Sequence, residues 1–320
     1  MKQRIEEIDF LKCMFILLMI VFHLAYIGDK YPYAKQLVYT FHMPAFLIIS
    51  GYLMNVGKPT RSFLRTMGWI FVPYAVMESG YVVMSSVLPV RERVEVLNLS
   101  VWGDKLLLHP LGPYWYLHTL IVCGITYYAV DRLTRKWDNN LSFLVLLTLC
   151  YTAEARLLGI VSFPNALYFA AGALLHRVRM PFTSFFRPSL WAAIPFVLLA
   201  CFPGNLDKTT LPGVIMTYLA VSLALTLFRF LPATARQICG YIGSHTFILL
   251  VFSPIFTMAV KPLVGIFRFD PSGILFLVVA LLITLAGCFS IAWLIDRLHL
   301  SPYFWGKEQM LQPFRKKMTS

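Results

Sequence analysis

Charge is what this sequence has least of. Only 13% of its 320 residues are Asp, Glu, Lys or Arg, while 58% are hydrophobic, and mean hydropathy is +0.70. An ordinary soluble domain carries about a quarter charged residues, so a water-soluble globule is excluded and a chain that lives in lipid is implied. Cysteine is sparse too. Cys13, Cys123, Cys150, Cys201, Cys239 and Cys288 stand singly, mostly inside apolar runs, with no CxxC pair and no framework of loop cysteines. That pattern points to neither a metal site nor disulfides. No internal repeat or low-complexity tract is evident, and inverted or parallel repeats are common in secondary transporters. The net charge of +13 is spread over many loops without a basic stripe or an RNA-binding motif, so it does not indicate nucleic acid.

What is present in abundance is apolar sequence. A hydrocarbon core of ~30 Å needs about 20 such residues per helix. Runs at roughly 10–28, 37–56, 66–88, 114–131, 141–159, 163–176, 189–203, 211–229, 242–260 and 274–296 predict an all-α integral membrane protein. Its architecture is expected to be a bundle of about ten transmembrane helices, one polytopic domain over residues 1–320. The first run has no small-residue cleavage site and a second follows closely, so it reads as a retained helix and not a signal peptide. If the N-terminus is cytoplasmic, more than twice as many Lys and Arg fall on the inner side as on the outer. The positive-inside rule then sets both termini in the cytoplasm of a multi-pass inner (plasma) membrane protein, and the surplus charge suits anionic headgroups. The longest outer loop, about 89–113, has a charged first half and a Leu-rich second half. It suggests either a short interfacial helix over a substrate mouth or a plain connector.

Ionisable side chains inside spans are costly and mark function by default. Here they are Lys12, His23, His42, Glu78, His118, Glu154 and Arg156. His23 follows Lys12 by eleven residues, about 16 Å of helix and close to three whole turns, so both project from one face and line a path from the cytoplasmic mouth toward mid-membrane. Each residue also has a plainer reading. Lys12 suits a snorkelling anchor, Glu154 and Arg156 an interfacial pair, His118 in "YWYLHTL" an aromatic girdle, and Glu78 a protonated structural group. His23, deep in "FILLMIVFHL", is the hardest to explain without function.

"RIEEIDFLKCMFILLMIVFH" followed by "FHMPAFLIISGYL" resembles the opening of the membrane acyltransferase-3 family, in particular its fucose 4-O-acetylase-like branch. Arg4, Asp9, Lys12, His23, Phe41, Met43, Pro44, Ser50, Gly51 and Tyr52 carry the resemblance. "FLRTMGWIFVPY", "YWYLHTL", "ALYFAAGALL" and "IGSHTFILLVFSP" extend it along most of the chain. Two positions depart from the pattern. Gly68 and Trp69 stand where the family often has basic residues before Pro-Tyr, and Ser253 stands where it commonly has a histidine before Pro. The resemblance implies transfer of an acyl group, by default acetyl from cytoplasmic acetyl-CoA as co-substrate, to a sugar hydroxyl of a surface polysaccharide or its lipid-linked precursor, without a metal. On this reading His23 is base or acyl carrier, His42 and Glu78 support it or hold the sugar, and Lys12, Arg61 and Arg65 serve the donor's phosphates, with Asp9 orienting a basic residue at that mouth. The rival class is a multi-pass transporter that uses the embedded His and Glu as a proton relay. A non-catalytic scaffold or receptor explains the apolar mass but not the Lys12–His23 spacing.

Overall fold

Backbone groups in lipid have to be satisfied within their own segment, and a helix does this along its whole length. The computed structural model describes residues 5–87, 93–137 and 139–312, and its regular elements there are all helical. They are α1 (Glu6–His23), α2 (Ala25–Lys30), α3 (Pro32–Leu53), α4 (Thr60–Val87), α5 (Leu99–Leu107), α6 (Trp115–Thr134), α7 (Asn140–Arg156), α8 (Phe163–Arg177), α9 (Phe182–Phe185), α10 (Ala193–Ala200), α11 (Leu211–Phe230), α12 (Ala233–Ser244), α13 (Thr246–Ala259), α14 (Ile274–Arg297) and α15 (Ser301–Phe304), with short 3-10 turns between. Every expected apolar run has a helical counterpart. Among the described residues, three helices, α4, α11 and α14, are long and apolar enough to cross a membrane unaided, and α12 with α13 passes the same test as a bent pair. Arg4 of the opening motif, together with Lys2, Arg91 and the basic residues 315–317, lies outside the described residues.

The structure departs from the sequence reading at two places. The first run is not one helix: α1 stops at His23, Leu24 turns extended (ψ 102°), and α2 resumes at Ala25. The break lets Leu24 and Ile27 bury against Val260, Phe276 and Ala280. The segment before residue 242 is not an inner loop but α12, which meets α13 at a 78° bend centred on His245. The loop near 89–113, expected as either a short interfacial helix or a plain connector, contains the helix α5. Asn98 caps it by accepting from the Val101 amide (2.8 Å), a bond typically worth about 1 kcal/mol.

The helices form two compact units: Met1–Phe46, Phe182–Ser301 and Glu308–Ser320 in the first, Leu47–Pro181 and Pro302–Lys307 in the second. In the first, α1 lies against α11, α12, α13 and α14. Its crossing with α12 is so close that a Cβ on Gly243 would run into the Asp9 carbonyl. The Cys13 and Cys239 thiols meet between the same two helices, a contact their isolation in sequence did not suggest. In the second unit α4, α6, α7 and α8 pack together, and the last turns of α3 cross α8 glycine to glycine. A Cβ on Gly51 would enter the Phe169 carbonyl, and one on Gly172 would enter the Ile48 carbonyl.

Candidate active site

In the first unit, Lys35, Tyr39 and His42 recur on α3 at i, i+4 and i+7, the spacing that aligns side chains on one helical face. They meet His23 at the end of α1. The Tyr39 ring centroid lies 6.2 Å from that of His23 and 5.0 Å from that of His42, and the Lys35 ammonium sits 5.9 Å above the Tyr39 ring. Tyr39 also donates its hydroxyl to the Phe22 carbonyl (3.3 Å), covering one of the acceptors that a helix end leaves open. From the loop after α10, Lys208 is close enough to His42 to interact electrostatically, as is His23 itself. That loop is tied to α3 by Gln36, whose amide donates to the Leu206 carbonyl (3.5 Å).

Both imidazoles have the same tautomer, for the same reason. His23 Nδ1 faces the Met19 carbonyl and His42 Nδ1 the Val38 carbonyl, each at 2.7 Å. A carbonyl only accepts, so Nδ1 carries the proton and Nε2 carries the lone pair. The ring whose nitrogen is oriented this way is ready to act as base or nucleophile. His23 is exposed while His42 is 2% exposed, and His42 Nε2 has no hydrogen-bond partner among the described residues. Burial pushes the Lys208 ammonium below its usual range, with neighbouring Asp207 opposing the shift.

At the other end of α1, Lys12 donates to Asp9 (3.0 Å), so Asp9 does orient the basic residue there. In the same unit a cavity of about 400 Å³ is lined by Glu7, Leu225, Phe228, Arg229 and Arg236 among others. The Arg236 guanidinium donates to the Leu231 and Arg229 carbonyls and stacks 4.9 Å from the Phe228 ring, whereas Arg229 is exposed. Neither arginine stood out in the sequence, where both read as inner-loop charge.

The remaining expected site residues belong to the second unit. Arg61 and Arg65 are exposed one turn apart on α4. Glu78 is fully buried and accepts from the Leu111 amide (2.6 Å). Around it, Tyr74 donates to Leu106 O (2.7 Å), His118 to Leu107 O (2.9 Å), and Trp102 to the Ser79 hydroxyl (3.0 Å). Glu78 and His118 thus hold the α5 segment to α4 and α6. In that segment, His109 beside Asp104 (2.7 Å) keeps the carboxyl below its ordinary range. Glu154 turns inward to the Thr126 hydroxyl, and Arg156 is exposed at the end of α7.

The Ser50-Gly51-Tyr52 stretch contacts two of the other motif segments. Ser50 shares a hydrogen bond with Tyr116 of "YWYLHTL" (2.6 Å), Gly51 crosses Gly172 of "ALYFAAGALL", and the Tyr52 carbonyl accepts from His176 (2.7 Å). A family model described as an acyltransferase domain matches residues 5–293. The chain belongs to the membrane acyltransferase-3 family. No curated protein and no solved structure matches it. Membership makes the chain a membrane acyltransferase and gives a reason for the two kinds of motif residue. In this acyltransferase, Ser50, Gly51 and Gly243 serve helix crossings, while His23 stands exposed beside a second imidazole.

Proposed function

We propose that this acyltransferase moves an acetyl group from cytoplasmic acetyl-CoA to a hydroxyl of a sugar in a surface polysaccharide or a lipid-linked precursor. The observation that carries the reading is His23: an accessible imidazole with Nδ1–H fixed on Met19 O, and hence a free base at Nε2. Nε2 takes the proton of the sugar hydroxyl as its oxygen attacks the thioester carbonyl. The C–S bond then breaks and the thiolate leaves with the proton that the imidazolium returns. Carrying the acetyl group on Nε2 between two such steps uses the same lone pair. The oxyanion that forms needs a cation or a hydrogen-bond donor, and Lys35 lies over the Tyr39 ring within electrostatic reach of His23.

The donor's phosphates need cations at the cytoplasmic end. Lys12 supplies one beside Asp9, and Arg229 and Arg236 supply two in a cavity that also contains Glu7, five residues before Lys12. The family resemblance also assigns Arg61 and Arg65 to the donor; both are exposed on α4. Eleven residues of helix, about 16 Å, separate Lys12 from His23, so on this reading the pantetheine arm runs along α1. The experiment is transfer of labelled acetyl by His23→Ala in membranes, with mass spectrometry of surface glycans from a strain carrying that variant. Insertion and monodispersity should be retained and the acetyl mass increment lost. Acetylated glycan made by a folded His23→Ala protein would sink the mechanism.

A further inference from the structure

Two lysines that the topology argument treats as ordinary loop charge converge on the two histidines. Lys35 crosses the face of Tyr39, and its side chain packs so closely over Gly28 that a Cβ there would lie 3.1 Å from Nζ. Lys208 comes from a different segment, held to α3 through Gln36 and Leu206. Both ammonium groups are partly buried, one within electrostatic reach of His23 and the other of His42. Side-chain rotamer freedom of a lysine is worth about 2 kcal/mol, part of which is given up where Lys35 crosses the Tyr39 ring and where Lys208 lies half-buried beside Asp207. A half-buried aromatic ring, a buried lone pair on His42 and two cations make a coherent set. The ring gives a sugar its stacking surface, the lone pair accepts from a hydroxyl, and the cations attract negative charge.

We propose that Lys35 and Lys208 flank an acceptor subsite for an anionic sugar, one bearing a carboxylate or a phosphate, with Tyr39 and His42 as its floor. The proposal rests on the acyl-transfer reading for what happens to that sugar, but the binding itself does not. Charges meeting in partly desolvated surroundings interact far more strongly than in bulk water. Burial of Lys208 costs its charged form something that an arriving anion restores. The carboxylate of a uronic sugar and the phosphate of a lipid-linked sugar offer the same chemistry, and the probes separate them.

The test is binding to the purified full-length protein in detergent without acetyl-CoA, read as ligand-dependent thermal stabilisation. The probes are glucose, glucuronic acid, glucose 1-phosphate and inorganic phosphate. At least one anionic sugar should bind roughly tenfold or more tighter than glucose, the scale of one partly screened charge pair. Preference for glucuronic acid identifies a carboxylate acceptor and preference for glucose 1-phosphate a phosphate-linked one. Lys35→Met with Lys208→Met keeps the aliphatic stems and should remove that preference, while Lys35→Arg with Lys208→Arg, which keeps both charges, should retain it and guards against a simple folding defect. Equal affinity for glucose, survival of the preference in the double methionine variant, or inorganic phosphate binding as well as the sugar phosphate would each overturn the proposal. A protein that prefers the anionic sugar yet never consumes acetyl-CoA would refute acyl transfer instead and leave this subsite standing.

Discussion

Gly172→Ala should be among the most damaging single-methyl changes in the second unit. The new Cβ would lie inside the Ile48 carbonyl and 2.8 Å from the Tyr52 nitrogen, where ordinary contact begins at 3.4 Å. Backbone cannot rotate away as a flexible side chain does, so α3 and α8 have to separate by about an ångström or more. A gap of that size forfeits up to half of each dispersion contact across the crossing. It also stretches two bonds anchored on the same turns of α3, Ser50 to Tyr116 at 2.6 Å and His176 to the Tyr52 carbonyl at 2.7 Å. Overpacking costs about 1–3 kcal/mol and each weakened bond about 1 kcal/mol, for a total of roughly 3–5 kcal/mol. At about 2–4 °C per kcal/mol for a unit of this size, Tm should fall by roughly 10 °C, measured by thermal aggregation of detergent-solubilised protein. Gly80→Ala is the control: nothing lies within 4 Å of its Cβ, and Ala is the better helix former by up to about 1 kcal/mol. A Gly172→Ala protein with the wild-type Tm would refute the close crossing.

Two further substitutions separate binding from scaffolding. Glu78→Ala leaves the Leu111 amide without its carboxylate acceptor in a buried place, at a cost of about 1–3 kcal/mol; a lowered Tm with Glu78→Gln nearly restored is expected, because the amide oxygen still accepts. Arg229→Ala should raise KM for acetyl-CoA several-fold and leave Tm within a degree or two, since the Arg229 side chain is exposed and only its carbonyl is used by Arg236. An unchanged KM would remove the cavity beside Glu7 from the donor path.

Element existence was legible because lipid leaves the backbone few choices: each expected apolar run is helical, the first and the ninth as two helices with a break between them. Boundaries were not, where burial decided them. Nothing between Phe15 and Ala25 is a helix breaker, yet α1 ends at His23 because turning at Leu24 buries Leu24 and Ile27 against residues more than 230 positions away. Hydropathy also passes over α12, whose sequence "ATARQICGYIGS" mixes polar and apolar residues; helical periodicity and its close partner on α1 make it a helix. At the site, His23 and His42 stood out as ionisable groups in oil. Tyr39 and Lys35 were legible only through the i, i+4, i+7 spacing that ends on His42, a signal present in the sequence but masked by reading Lys35 as loop charge. Lys208 had no local signal, because only the fold of the loop after α10 brings it near His42.

The motif residues therefore divide by what the backbone demands. At Gly51, Gly172 and Gly243 neighbouring carbonyls occupy the space a side chain needs, so those positions are intolerant for steric reasons whatever the reaction. Ser50 and Tyr116 share one short bond and are fixed as a pair. His23 is different: its ring orientation is set by a carbonyl four residues back, a constraint any helix supplies, and its exposed side chain lies against the Tyr39 ring without entering the core. Replacement by a residue of similar volume should leave α1 intact, which makes the position free to vary on structural grounds. A histidine at such a place, beside the buried imidazole of His42 and with two lysines in electrostatic reach of the pair, is what the proposed chemistry at Nε2 requires and what the fold alone does not.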